Sequence, residues 1–289
     1  MNLPNTYFTH VLLMIMAVFD SHGQGTETNK EYKSLHEAFL NKDKATWLSI
    51  SHQNMVSIPD SLFELTHLEY LDLSHNRIEV LPEKIRNLKK LRYLVLSVNQ
   101  LKQLPESFSE LNTLQILYLD HNPTINLLQC INTLSSLPAL KMLSLAGDNI
   151  KVIPKTLSQL VELESLDLSE NEFEDLAQNT SKMKHLKVLY INNDAHFNLS
   201  RNIKILGKIT TLKELHIEND NLQQVPSEID ELRSVEYLFF IGNEIHRLPD
   251  QINNMKNLKL LDMSDNPIAP PLIYDEHLRP KVIFRIKQN

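Results

Sequence analysis

The hydrophobic positions of this chain repeat. The stretch "LEYLDLSHNRIEVLPEKIRNLKK", residues 68–90, is followed at once by "LRYLVLSVNQLKQLPESFSELNT", residues 91–113, with leucine, asparagine and proline held in place while the letters between them change. Aligned on L-x-x-L-x-L-x-x-N-x-L, such units begin at Ala45, Leu68, Leu91, Leu114, Leu140, Leu163, Leu186, Leu212, Val235 and Leu258. The steps between them are 23 residues, apart from the steps of 26 that follow Leu114 and Leu186. Within a unit, x-L-x-L-x alternates, which predicts a short strand with Leu71 and Leu73 turned one way and Tyr70 and Asp72 the other. One unit cannot bury its leucines alone. Stacking units at the spacing of paired strands, about 4.8 Å, builds a parallel sheet backed by a continuous apolar column.

The polar letter that closes each strand forms a second column: Gln53, Asn76, Asn99, Asn122, Asp148, Asn171, Asp194, Asp220, Asn243 and Asn266. An asparagine side chain carries an acceptor and two donor hydrogens, so it can satisfy backbone groups freed where the chain turns out of the sheet. A structural ladder of Asn76, Asn99, Asn122, Asn171, Asn243 and Asn266 is therefore expected, weaker in units five, seven and eight, where aspartate lacks the amide donors. After this column, proline and spaced apolar residues such as Leu81, Ile85 and Leu88 predict an irregular or short helical return. The two longer units read "NLLQCINTLSSL" from Asn126 and "NLSRNIKILGKI" from Asn198. Their three-residue apolar step, Ile131, Leu134 and Leu137 in one and Ile203, Leu206 and Ile209 in the other, predicts helical returns.

A fixed period of about 20–29 residues with this spacing, and "VLP", "QLP", "VIP", "QVP" and "RLP" after the asparagine turn, resembles the leucine-rich-repeat family. The likeness is to its secreted or envelope-associated bacterial members and to its intracellular Ras-scaffold type. That resemblance implies an α/β solenoid, a curved right-handed superhelix with a parallel sheet on its concave face and an irregular or short helical convex side. It also implies a non-catalytic module that recognises a protein partner. Ten repeats fill residues 45–268. Residues 24–44, in which Tyr32, Leu35, Ala38 and Phe39 fall on one helical face, are expected to cap the first repeat, and residues 269–289, with "VIFRI", the last.

Composition narrows the function. The chain of 289 residues is 42% hydrophobic and 22% charged, with a formal charge of −7 and no run rich in lysine or arginine, so nucleic acid is not an expected partner. A single cysteine, Cys130, cannot form an internal disulfide, and its reading is a small residue packed on the convex side. No phosphate loop or hydrolase motif occurs, and no catalytic residue, metal or cofactor is assigned. His52, His75 and His121 share one position, but the gap at Val98 sets His121 too far away for one zinc ion, so they read as solvated rim residues.

"VLLMIMAVF", residues 11–19, is too short to span a membrane, which takes about 20 residues, and small residues follow it. Residues 1–23 therefore read as a signal peptide, although no lysine or arginine precedes the run. This places the protein in the secreted fraction, the periplasm or the cell envelope of a bacterium; the alternative is a cytoplasmic scaffold, and a structural envelope or adhesion protein is a third reading. The variable letters of the strands carry the expected contact: Trp47, Tyr70, Asp72, Tyr93, Tyr118 and Asp120 in a favoured N-terminal patch, and Tyr190, Tyr237 and Phe239 in a second. Tyrosine and tryptophan offer large contact area at low entropic cost, and the acidic neighbours suit a partner with positive charge.

Overall fold

The computed structural model describes residues 30–267 and 281–283. Its backbone is one twelve-stranded parallel sheet in which each strand pairs with the next in sequence. The strands are β1 (Glu31–Tyr32), β2 (Trp47–Ser49), β3 (Tyr70–Asp72), β4 (Tyr93–Val95), β5 (Ile116–Tyr118), β6 (Met142–Ser144), β7 (Ser165–Asp167), β8 (Val188–Tyr190), β9 (Glu214–His216), β10 (Tyr237–Phe239), β11 (Leu260–Asp262) and β12 (Lys281–Ile283). From β2 to β11 the register is that of the sequence alignment: Trp47 pairs with Tyr70, Tyr70 with Tyr93, and so on to Tyr237 with Leu260. The central leucines, such as Leu71, Leu117, Leu166 and Leu238, are fully buried behind the sheet, where each contributes about 1.5–3 kcal/mol. Phe63, Phe108, Phe173 and Phe240 fill the same interior, which runs as one cluster along the solenoid.

Among the described residues seven returns contain a 3-10 turn, and six of these open on a proline: Pro59, Pro82, Pro105, Pro154, Pro226 and Pro249. Proline fixes φ near the value found there, −63° to −75°, and its missing N–H belongs to a position that needs no partner. This explains the recurring "LP". The 26-residue units carry α-helices instead, α2 (Leu127–Leu134) and α3 (Leu199–Leu206). Asn126 and Asn198 cap them, accepting the amides of Gln129 at 3.1 Å and Arg201 at 3.0 Å. Cys130 lies on α2, fully buried, and burial pushes its thiol up to about 12.

At the N-terminal end the structure differs from the helix-only expectation. Tyr32 belongs to a strand, not to the helical face, because Ser34 starts the helix two residues later by accepting the Glu37 amide at 3.1 Å. The helix, α1 (Leu35–Leu40), buries Ala38 and packs Leu35 and Phe39 on the core. The segment read as a signal peptide lies outside the described residues, as do 268–280 and 284–289, including part of "VIFRI".

The asparagine ladder takes a uniform form. Asn99 Nδ2 donates to the carbonyls of Leu73, Leu96 and Ser97 at 3.0, 3.0 and 3.3 Å, and its Oδ1 accepts the Ile78 amide at 3.0 Å. Asn76, Asn122, Asn171, Asn243 and Asn266 repeat the arrangement. The residue before each rung adopts a left-handed conformation, with φ of 53° at His75, 56° at Val98 and His121, and 69° at Gly147 and Gly242. Histidine is among the residues that tolerate this region, which accounts for the recurrence of His52, His75 and His121. The rings of His52 and His75 stack at 4.1 Å, while His121 turns to Glu170, 3.3 Å away.

Candidate functional site

Three residues of each strand segment point out of the concave face, because side chains alternate across a strand. In the second unit they are Tyr70, Asp72 and Ser74. The parallel register sets equivalent residues of successive units side by side, so the face is an array of ten rows.

In the N-terminal rows the aromatic rings meet. Trp47 lies 4.6 Å from Tyr70, and Tyr70 lies 6.5 Å from Tyr93. With Val95 and Tyr118 they form an apolar cluster separate from the leucine core, on which Ile116 and Met142 pack. Their residual exposure is small: Trp47 7%, Tyr70 2%, Tyr93 3% and Tyr118 8%. Little of the four rings in the favoured N-terminal patch is therefore open to a partner. Residues 23 apart in sequence become neighbours in the sheet, and large side chains at that spacing cover one another. Burial pushes the phenols of Tyr70 and Tyr118 above their ordinary value.

The acidic residues among these rings are built in by serines. Asp72 accepts Ser49 Oγ at 3.0 Å and the Ser74 amide at 2.8 Å, and is itself buried. Asp120 accepts Ser97 Oγ at 2.7 Å and also Ser144 Oγ. Burial raises the Asp120 carboxyl against the pull of these two hydroxyls, and it raises Asp167, further along the face, to about 6.

The C-terminal rows are more open. Tyr237 is 36% exposed, and Tyr190, Phe239 and Ile241 are half-buried. Between Tyr190 and Phe239 stands His216, its ring 4.4 Å from the first and stacked on the second at 4.2 Å. His216 Nδ1 lies 2.6 Å from Glu218 Oε1 and Nε2 lies 2.7 Å from Glu214 Oε1. Only an imidazolium can donate to both carboxylates. Burial alone lowers the His216 pKa, but the bonds to Glu214 and Glu218 outweigh it and hold the value above the ordinary one. The sequence reading missed this clamp. Its signal was "ELHIE", residues 214–218, where alternation puts both glutamates and the histidine on one face.

Charge divides the face from its rim. At the three outward positions of the ten rows stand Asp72, Asp120, Asp167, Glu214, Glu218 and Asp262, and neither lysine nor arginine. Cations sit one residue before five of the ten repeat strands, at Arg92, Lys141, Lys187, Lys213 and Lys259, and pair with glutamates along the rim: Arg92 with Glu69 at 3.6 Å, Lys187 with Glu164 at 2.6 Å, and Lys213 and Lys259 with Glu236 at 2.8 and 2.5 Å.

This geometry defines the class: a solenoid of parallel-strand repeats held by an asparagine ladder. A leucine rich repeat family model matches residues 43–101 and 82–123, and there the chain is similar to the leucine-rich-repeat family. No curated protein matches it significantly. Among solved structures, a leucine-rich-repeat protein of Leptospira interrogans is 24% identical, with a TM-score of 0.54 over 90% of this chain and 82% of that one. An internalin of Listeria monocytogenes is 20% identical, with a TM-score of 0.56 over 86% and 83%. RP105 in the mouse RP105/MD-1 complex is 21% identical, with a TM-score of 0.63 over 82% of this chain and 42% of that one. These likenesses establish the fold.

Proposed function

We propose that this chain is a non-catalytic protein-binding module that takes a positively charged protein partner on its concave face, with the contact centred on Tyr237 and Phe239. The observation that carries this reading is the charge pattern: six carboxylates and no lysine or arginine at the outward positions, with Glu214, Glu218 and Asp262 on the rows next to the most accessible aromatic rings. Complementary charge steers encounter and excludes like-charged partners, while buried aromatic anchors supply the energy. Solved leucine-rich-repeat complexes of this fold, RP105 with MD-1 and Toll with Spatzle, support a protein as the partner class. Tyr190 adjoins the centre through His216. Trp47, Tyr70, Tyr93 and Tyr118, with Asp72 and Asp120, shape and charge the N-terminal part of the same face.

Affinity capture from native extract, followed by titration of the captured partner, tests this. Tyr237→Ala with Phe239→Ala is expected to weaken binding by about 2 kcal/mol or more, roughly thirtyfold, and added salt to slow association. Tyr93→Ala with Tyr118→Ala should have the smaller effect, and the convex pair Lys84→Ala with Glu106→Ala none. Equal affinity of the Tyr237 and convex variants, both folded, refutes the concave site. We also propose export, on the apolar run of residues 11–19. The intact mass of the native protein should correspond to a chain beginning near Gln24; a retained Met1 refutes it.

A further inference from the structure

Three rungs of the ladder are aspartates, and the structure gives each a carboxylate oxygen with nothing to bond. Asp148, Asp194 and Asp220 are 4%, 0% and 2% exposed. In each, Oδ2 is buried and lacks a hydrogen-bond partner. In Asp148 and Asp220 the other oxygen behaves as the asparagine Oδ1 does: Asp148 Oδ1 accepts the Asn122 amide at 2.6 Å, and Asp220 Oδ1 accepts the Asp194 amide at 2.5 Å, while Asp194 Oδ1 accepts the His196 amide at 3.2 Å. In those two rungs Oδ2 therefore stands where asparagine carries Nδ2, and in the flanking rungs that atom donates to three carbonyls, as Asn122 does to Leu96, Leu119 and Asp120 and Asn243 does to Ile217, Phe240 and Ile241. An ionised carboxylate oxygen aimed at three carbonyl oxygens would place four acceptors together with no proton among them. A carboxylic acid has one O–H and can donate.

We propose that Asp148, Asp194 and Asp220 are held as neutral carboxylic acids that donate to the ladder carbonyls, so that units five, seven and eight are latched by a proton and loosen as pH rises. The charges around them favour this. Asp148 faces Asp120 and His121 from unit four, with the Cys130 thiol nearby; Asp220 faces Asp194 and Glu218; Asp194 has His196 beside it. Burial, opposed by the backbone amides that each accepts, pushes Asp148 and Asp220 up to about 8 and Asp194 to about 6. An acid whose folded value lies above its unfolded one stabilises the fold below the unfolded value and loses that contribution as pH rises through the folded value. The window runs from about pH 4, where unfolded aspartate titrates, to about pH 8. Asp194 and Asp220 close the strands that carry Tyr190 and His216, so the latch also sets the firmness of the proposed contact face; that consequence rests on the recognition reading.

The test needs no partner, so its failure is distinct from failure of that reading. Equilibrium unfolding of the full chain is followed from about pH 4.5 to about pH 7.5, for wild type, Asp148→Asn, Asp220→Asn and the exposed control Asp43→Asn. Asparagine is the residue of the neighbouring rungs, so both variants are built to fold. Each rung variant is expected to match wild type near pH 4.5 and to exceed its folding equilibrium constant by at least about tenfold near pH 7.5, the ratio expected for one pH unit of linked titration. Carbonyl-carbon NMR shifts of the side chains should report protonated carboxyls for Asp148 and Asp220 at neutral pH. Ionised shifts there, or rung variants with the pH slope of wild type, overturn the proposal.

Discussion

Replacing Asn99 with alanine removes four hydrogen bonds at once, but the losses are unequal. The Leu73 carbonyl also accepts Asn76 Nδ2 at 2.9 Å, the Leu96 carbonyl accepts Asn122 Nδ2 at 3.1 Å, and the Ser97 carbonyl accepts the His75 amide at 2.9 Å. Those three acceptors keep a partner and lose only the second bond. The Ile78 amide keeps none of its bond to Asn99, and Ile78 is fully buried, out of reach of water. An unsatisfied buried donor costs about 1–3 kcal/mol, and each weakened acceptor adds part of the net value of a bond, about 0.5–1.5 kcal/mol. Together these give about 3 kcal/mol. Urea unfolding followed by circular dichroism reads the change as a lower midpoint at constant slope. Amide exchange at Ile78 should quicken with it, because a repeat can open locally without global unfolding. Asn99→Asp keeps the acceptor and, in acid, one donor, so it should lose less than alanine there. The exposed Asn112→Ala is the control. A loss below about 0.5 kcal/mol for Asn99→Ala, with Ile78 still protected, would refute the ladder as a source of stability.

Val98→Asn should stabilise the fold by about 1 kcal/mol, read as a higher thermal midpoint: a β-branched residue at φ 56° is strained, asparagine tolerates that region, and at 38% exposure little packing is lost. Cys130, fully buried and with its thiol pushed up to about 12, should resist thiol reagents in the native protein and release one thiol equivalent in urea. Prompt native labelling would show that α2 opens readily from the core.

Periodicity carried most of the fold. The alternation around Leu71 and Leu73 required a strand, the 23-residue step required parallel stacking of like on like, and the apolar spacing after Asn126 and Asn198 required helical returns; each follows from residues close in sequence or at a fixed period. The asparagine column was legible for the same reason, since one letter recurring at one place in six of ten units has one physical use. What the side chains of neighbouring units do to each other was not legible. Whether Tyr70 is open to a partner depends on the rings of Trp47 and Tyr93 alongside it, 23 residues away in either direction. Spacing argued against a metal at His75 and His121, but why histidine recurs there became clear only when the backbone placed both at left-handed φ. Clamping of His216 by Glu214 and Glu218, and the lone oxygens of Asp148, Asp194 and Asp220, depend on burial and on distances of a few ångströms across the solenoid. Sequence alone determines which residues share a row and which side of the sheet they take, because alternation and period are properties of the chain. Which of them remain accessible, which carry a proton and which meet are decided only when the rows are stacked, because those properties belong to the space between units.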